Sequence, residues 1–338
     1  MKSNRKKNVI FLLISITIFS LLIGLGQSEL VKSDPRDFND TFEGETELGE
    51  VEIEDEMLAL AETPISPMYM MMPEASGKLV KQNKKAQIDY SNTLDGYVMV
   101  KYVADSTKKI KAQVKGPSES TYTYNLVAGA STWTTFPLSD ENGEYKVTVY
   151  ENVNENKYAT VLSVKFSASM EDPFAPFLRP NQYVNYEVDA ENTVAKAAEL
   201  FEEQDTTLDK IRAVYEFVVT TLTYDTEKAA NVQSGYLPVL DKVLSEKKGI
   251  CFDYAAMMAG MLRSQGIPCK LIVGYAGSAY HSWINVYTEE SGWLNSVIYF
   301  DGYSWKLMDP TFASSGNQSA SIMKFIGDSK NYKAMYIY

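Results

Sequence analysis

The sequence predicts a multidomain protein in which an all-β sandwich precedes an α+β domain. The chain has 338 residues, enough for two domains of ordinary size. Short segments that alternate polar and apolar residues fill its middle, and segments with helical periodicity follow them. Apolar residues make up 45% of the chain, so each domain can bury a core of its own.

The first 26 residues have the features of an export signal. A lysine- and arginine-rich start precedes an uncharged apolar run of 17 residues at 9–25. Gly24 and Gly26 then offer a cleavage site. The length of the run leaves both a cleaved signal peptide and a retained membrane anchor open. Either reading predicts that the rest of the chain is extracytoplasmic. The chain then contacts a membrane only through this segment, and only if the segment is not cleaved.

Residues 27–80 are predicted to form a tether. The net charge of the chain is −12, and the segment 34–62 alone contributes −11. Such a carboxylate-rich stretch stays solvated. The Pro- and Met-rich stretch 63–73 follows; we interpret it as a linker or packed strip, and a soft-metal site or a plug over a cleft are the alternatives. Because the charge elsewhere is modest and no basic patch occurs, nucleic-acid binding is excluded.

Residues 81–169 are predicted to form a β-sandwich. Glycine-containing turn signals separate five short alternating segments, at 97–103, 109–115, 121–126, 144–150 and 160–166. This spacing is typical of an immunoglobulin-like sandwich. The Cys-Trp-Cys framework of true immunoglobulin domains is absent, so we expect the domain to resemble them in shape only.

Residues 170–338 are predicted to form the α+β domain. After a connector with three prolines, helical spacing appears at 193–203, 208–222, 237–246 and 255–263. Strand patterns follow at 270–275, 282–287, 296–300 and 304–308.

Cys251, His281 and Asp309 are the candidate catalytic residues. Cys251 follows Gly249 at a predicted helix start, where free N–H groups and the helix dipole favour a thiolate. His281 is the only histidine, so it is the natural base, and the usual histidine-rich zinc site is excluded. Asp309 ends a strand and could orient the imidazole. A buried structural Cys251 and a turn-forming Asp309 are the alternatives.

Four motifs in this region carry a family resemblance. They are Gly-Ile-Cys-Phe-Asp-Tyr-Ala at 249–255, Gly-Ile-Pro followed by Gly-Tyr at 266–275, His-Ser-Trp at 281–283, and Trp-Lys-Leu-Met-Asp-Pro-Thr at 305–311. In this order they resemble the transglutaminase-like superfamily over roughly residues 193–315. The resemblance implies a papain-like fold, a Cys251–His281–Asp309 triad and no metal or organic cofactor.

Two features depart from the family pattern. His281 and Asp309 are 28 residues apart, wider than expected, so we interpret 288–302 as an inserted hairpin, with Asp301 as a rival third residue. Cys269 stands where a small residue is usual. We expect a buried thiol there, and a disulfide with Cys251 that would silence the enzyme is the alternative.

The resemblance also bears on the cleft and the reaction. Tyr224 and the backbone N–H of Cys251 are the candidate oxyanion donors, and Trp283 is expected at the cleft. Crosslinking members are expected to carry a Trp upstream of the Cys, and none lies between Trp133 and Trp283. We therefore expect an exported thiol hydrolase acting on peptide or protein amides, such as those of a surface protein or wall peptide. A crosslinking transglutaminase and a non-catalytic surface binding module are the alternatives.

Overall fold

The fold is described from a computed structural model of the chain. It describes residues 70–118, 120–294 and 331–338, together with the backbone of 298–300 and 305–307. The predicted signal or anchor at 1–26 and the acidic part of the tether lie outside these residues. Among the helices of these described segments, none has both the length and the hydropathy needed to cross a membrane.

Two four-stranded antiparallel sheets form the N-terminal part of the described chain. The first contains, in spatial order, β1 (Val80–Gln82), β2 (Ala86–Asp89), β3 (Tyr97–Tyr102) and β6 (Thr134–Pro137). The second contains β5 (Thr121–Leu126), β4 (Ile110–Lys115), β7 (Gly143–Asn154) and β8 (Lys157–Ala168). The predicted β-rich region is confirmed, whereas its immunoglobulin-like topology stays a prediction. The sequence pattern missed β1, β2 and β6, which are too short to show a clear alternation.

The two sheets contact each other through aromatic rings. Tyr124 of β5 stacks on Phe136 of β6 with ring centroids 4.2 Å apart. Tyr90, just after β2, stacks on Phe166 of β8 at 5.6 Å. The core between the sheets is therefore built from residues of both.

The end of the predicted tether lies against the first sheet. The N–H of Gly77 donates to the Asp89 carboxylate at 2.8 Å, and the N–H of Leu79 donates to Ser91 Oγ at 2.7 Å. These hydrogen bonds fix the residues that lead into β1.

Five α-helices lie in the second half of the described chain. They are α1 (Glu191–Glu202), α2 (Thr207–Thr221), α3 (Thr226–Asn231), α4 (Leu240–Glu246) and α5 (Cys251–Ser264). Helix α5 is rich in Ala and Met and is buried from residue 253 to its end, because α1, α2 and α4 surround it on the side away from the strands. The sequence pattern missed α3, whose six residues are mostly polar and too few to show periodicity.

A third four-stranded sheet covers the other side of α5. Its antiparallel strands are, in spatial order, β13 (Gly292–Leu294), β12 (Ala279–Thr288), β11 (Cys269–Ala276) and β16 (Tyr332–Ile337). The α+β organisation is thus confirmed. Two pairs complete the described strands: parallel β9 (Thr223–Tyr224) with β10 (Lys248–Gly249), and antiparallel β14 (Ile298–Phe300) with β15 (Trp305–Leu307).

The hairpin predicted at 288–302 is divided in the structure. Residues 288–292 form the turn between β12 and β13, where Tyr287 is opposite Trp293. The segment 298–300 belongs to a separate hairpin with 305–307. The prediction of a single hairpin was therefore wrong, because β13 is too short to be recognised from its pattern.

Arg263 fixes the C-terminal end of α5. Its guanidinium is 1% exposed and donates to the carbonyls of Cys269 at 2.7 Å, Arg179 at 2.9 Å and Tyr338 at 2.6 Å. A buried charge needs such partners, and here they come from three different segments. The helix is therefore held in register with β11.

An aromatic cluster joins α5 to the two N-terminal sheets. Tyr183 stacks on Tyr338 with ring centroids 3.9 Å apart, and both rings meet Tyr124 edge-on. Tyr183 also contacts Phe252, the second residue of α5, at 5.5 Å. One continuous core therefore extends from the sheets to the first turn of α5.

Candidate active site

Cys251 is the first residue of α5 and is half-buried. Ile250 precedes it in an extended conformation, with φ −96° and ψ 176°. The first helical hydrogen bond runs from the N–H of Tyr254 to the carbonyl of Ile250 at 3.1 Å. The N–H groups of the first turn have no helical acceptor, so the thiol lies at the positive end of the helix dipole.

Asp253 determines where α5 begins. An Ile side chain cannot cap a helix, but the Asp253 carboxylate accepts from the N–H of Ile250 at 2.8 Å. Gly249 fits against this carboxylate: a Cβ atom at position 249 would lie 2.6 Å from Asp253 Cβ. The glycine of the motif is thus required by close packing.

The Asp253 carboxylate is completely buried and has two side-chain partners. Lys228 Nζ of α3 lies 2.7 Å from one oxygen, and the Tyr236 hydroxyl donates to the other at 2.5 Å. Burial and the hydrogen bond to Asp253 raise the pKa of Tyr236, so the hydroxyl stays protonated. Sequence reasoning missed Lys228 and Tyr236, since no local pattern marks either one.

Tyr224 lies beside the loop that presents Cys251. In the parallel pair of β9 and β10, Tyr224 is opposite Gly249. The N–H of Asp225 donates to the carbonyl of Gly249 at 2.9 Å. The structure therefore places the predicted oxyanion residue next to the strand that leads into Cys251.

His281 is 5% exposed and lies near the start of β12. Arg263, at the end of α5, bonds to the first residue of β11, so α5 and β11 run antiparallel. The first turn of α5 therefore lies at the end of the β11–β12 hairpin that holds Tyr280 and His281. Burial raises the pKa of Tyr280, and neighbouring tyrosines and Cys251 add to the rise.

Alternation along β12 separates Tyr280 from His281. Tyr280 packs against the core cluster that includes α5, and successive strand side chains point to opposite faces. His281 shares its face with Trp283, whose ring centroid is 6.2 Å away. The structure thus groups Cys251, Tyr224 and Tyr280 at one end of α5, and His281 is the next residue of β12 after Tyr280.

Trp283 is a core residue in the structure. It is 3% exposed and packs edge-on against Tyr332 of β16, with ring centroids 5.2 Å apart. A Cβ atom at Gly274 of β11 would lie 2.9 Å from the Trp283 ring. The glycine before Tyr275 in the family motif therefore leaves room for this tryptophan, and a role for Trp283 at the cleft stays a prediction.

Cys269 is remote from Cys251. It is fully buried near the C-terminal end of α5, and burial raises the pKa of Cys269 to about 12. A helix of 14 residues spans about 20 Å, whereas a disulfide needs Cα atoms within about 7 Å. Both cysteines are free, so the alternative of a Cys251–Cys269 disulfide was wrong and the buried thiol is what the structure contains.

The acidic member of the predicted triad is not part of the described chain. Asp309 and its rival Asp301 both lie outside the described residues. Within those residues, no three His, Cys, Asp or Glu side chains are grouped as metal ligands would be.

An open groove borders the Asp253 network. Its volume is about 540 Å³, and α3, α4 and the segment between them line it, including Lys228 and Tyr236. Lys228 is 26% exposed, whereas Asp253 is completely buried. Solvent therefore reaches the lysine from this groove but does not reach the carboxylate.

Comparison with protein families supports the resemblance. The model of the transglutaminase-like superfamily matches residues 194–310, which include Cys251, His281 and Asp309. The Bacillus subtilis protein YebA is 30% identical over 118 residues, covering 29% of this chain and 16% of YebA. A protein-glutamine gamma-glutamyltransferase of Pseudomonas aeruginosa is 30% identical over 69 residues, covering 16% and 10%. Kyphoscoliosis peptidase of Mus musculus is 25% identical over 117 residues, covering 35% and 17%.

The chain therefore spans less than a fifth of the length of these curated relatives. Among solved structures, the periplasmic domain of TgpA from Pseudomonas aeruginosa is 15% identical, with a TM-score of 0.33 and coverage of 73% of this chain and 99% of that one. Red sea bream transglutaminase is 13% identical, with a TM-score of 0.28 and coverage of 68% and 53%. At such TM-scores the assignment rests on the sequence match. Residues 194–310 of this chain therefore belong to the transglutaminase-like superfamily.

Proposed function

We propose that the chain is an exported thiol enzyme that hydrolyses peptide or protein amides, with Cys251 as nucleophile, His281 as base and Asp309 as orienting acid. The position of Cys251 carries the proposal: it is a half-buried thiol on the first residue of a buried helix, within the matched superfamily region. The free N–H groups there stabilise a thiolate and a developing oxyanion.

The first step forms a thioester. The Cys251 thiolate attacks the carbonyl carbon of the amide, and the negative oxygen is stabilised by the N–H of Cys251 and by the Tyr224 hydroxyl. The carbon–nitrogen bond then breaks, and the imidazolium of His281 gives its proton to the leaving amine.

The second step releases the acyl group. His281 takes a proton from water, the resulting hydroxide attacks the thioester carbon, and the carbon–sulfur bond breaks to regenerate the thiolate. An amine in place of water would instead give transfer, which is the crosslinking alternative. The relatives include one named as a peptidase and one named as a gamma-glutamyltransferase, so both outcomes have precedent in the superfamily.

Location and substrate belong to the same proposal. The apolar segment at 9–25 supports an extracytoplasmic position, where peptides of the wall or surface proteins are the available amides. The acidic charge is concentrated at 34–62 and favours no nucleic-acid partner. The proposed chemistry needs no metal or organic cofactor.

The test is amide turnover by the full chain on a defined peptide library, followed by mass spectrometry with and without a labelled amine. We expect cleaved peptides, and at least about 1,000-fold less product with Cys251→Ala, as for other covalent nucleophiles. Cys269→Ala is the matched control and should retain turnover. Amine incorporation without cleavage would favour crosslinking. If a folded chain gives neither cleaved nor amine-labelled peptides, the non-catalytic binding module is the reading that stands.

A further inference from the structure

We infer that Lys228 and Asp253 form a positioning pair for Cys251: Lys228 neutralises a buried carboxylate that would otherwise oppose the thiolate. The inference rests on the proposed function, because it concerns the same nucleophile. Neither residue touches the reacting atoms in this role, so both act through the segment 249–251, which we call the Cys251 loop.

The Asp253 carboxylate of the pair is enclosed by its hydrogen-bond donors. Asp253 is completely buried; one oxygen accepts from Lys228 at 2.7 Å and from the N–H of Ile250 at 2.8 Å, and the other accepts from Tyr236 at 2.5 Å. Lys228 also donates to the Tyr236 hydroxyl at 2.6 Å. A carboxylate without solvent and without this cation would be strongly destabilising.

The charge of Asp253 matters because of its distance along the helix from Cys251. Both residues lie in the first turn of α5, two positions apart. A like charge at such a distance disfavours ionisation, and low solvent exposure strengthens the effect. Lys228 supplies the opposite charge at the same point, so the thiolate experiences a nearly neutral pair.

The same lysine links the loop to a second element. Lys228 lies in the first turn of α3, and its N–H donates to the N-cap Asp225 at 2.9 Å. The N–H of Asp225 in turn donates to the carbonyl of Gly249 at 2.9 Å. Main-chain and side-chain contacts thus hold α3 and the Cys251 loop as one unit.

The other charged or titratable groups around the loop differ from this pair. Asp225 already pairs with Lys248 at 3.2 Å. Burial keeps the hydroxyls of Tyr236 and Tyr280 protonated, because it raises the pKa of each. Among the described residues, Tyr224 and His281 also lie near the loop, and the proposed reaction itself uses both.

The experiment measures the pH midpoint of iodoacetamide alkylation at Cys251 in the full chain. The variants are Lys228→Met, Asp253→Asn and the two combined. Lys242→Met is the matched control, since this lysine lines the same groove, is 68% exposed, and pairs with Glu246 instead. Thermal unfolding of each variant separates folding from titration.

We expect Lys228→Met to raise the midpoint by about one pH unit. Asp253→Asn should lower it, and the combined variant should return it close to the wild-type value. The control should leave it unchanged. If Lys228→Met fails to fold, the combined variant is compared with Asp253→Asn. These two variants differ only in the charge at position 228, and the midpoint should be higher in the combined variant.

Unshifted midpoints in folded variants would overturn the inference and leave a purely structural pair. That outcome differs from failure of the proposed function. In the latter case wild-type Cys251 would itself be no more reactive than Cys269 at any pH.

Discussion

Position 249 has no room for a side chain. The loop between β10 and α5 passes directly over Asp253, whose Cβ would lie 2.6 Å from a Cβ at this position. The Asp253 side chain cannot move away, because Lys228 and Tyr236 both donate hydrogen bonds to its carboxylate. A single glycine therefore allows Cys251 and the buried ion pair to share one turn.

Gly249→Ala should lower the free energy of unfolding by about 1–3 kcal/mol, the usual cost of overpacking, and should slow alkylation of Cys251. Chemical denaturation and mass spectrometry measure the two effects. Gly266→Ala serves as a comparison: a Cβ there meets nothing within 4 Å, and only its φ of +80° is unfavourable. Equal alkylation rates in wild type and Gly249→Ala would show that the loop tolerates the methyl group.

The positions and partners of the candidate site residues could be predicted only in part from the sequence. Cys251 was predicted at a helix start because Gly249 and the Ala/Met run after it form a local pattern. The partners of Asp253 were not predicted, because Lys228 is 25 residues away and the contact depends on how α3 packs on α5. Asp309 and Tyr224 rest on motif and resemblance, and their chemical roles stay predictions.

Among the elements, the two N-terminal sheets are tied by one carboxylate. Glu151 of β7 accepts from Lys85 Nζ at 2.8 Å and from the Tyr102 hydroxyl of β3. Lys108 Nζ lies 3.1 Å from its other oxygen. The hydrogen bonds from Lys85 and then Tyr102 lower the pKa of Glu151 to about 2, from an ordinary 4.5.

This shift predicts an acid-dependent contribution to stability. A carboxyl whose pKa is lower in the folded state stabilises the fold above its unfolded pKa, and the contribution disappears as the pH falls through the folded pKa. The difference in unfolding free energy between wild type and Glu151→Gln should therefore shrink between pH 4.5 and about 2. Lys85→Met should reduce the same difference, because Lys85 is the first of the donors that lower this pKa. A difference in unfolding free energy between wild type and Glu151→Gln that does not change with pH would contradict the lowered pKa of Glu151.

Element length decided what the sequence could predict. Long periodic segments such as α2 and α5, and alternating strands such as β4 and β5, were predicted within a few residues of their observed bounds. Several short elements, such as β2, β13 and α3, were missed, because contact with a neighbouring element forms them and their own sequence pattern is weak. Strand β16 is an example: the carbonyl of Lys333 comes so close to β11 that only glycine fits at 274.

At the scale of the whole molecule, the two N-terminal sheets and the α+β part share one core. The stacked rings of Tyr183 and Tyr338 lie between Tyr124 of the second sheet and Phe252 beside Cys251. The first turn of α5 is therefore buttressed by the β-rich region as well as by its own domain. Neither the contact nor the packing role of these tyrosines could be predicted, since both depend on how the parts are arranged in space.

The central claim is that Cys251 and His281 form a reactive pair, and the pH dependence of iodoacetamide alkylation tests it most directly. Cys269 is the internal reference, because burial raises its pKa to about 12 and it should stay inert in the folded chain. We expect Cys251 to react rapidly below about pH 7 in wild type, and His281→Ala to abolish this reaction. If a folded chain shows Cys251 as inert as Cys269, or equally reactive without His281, the pair does not exist.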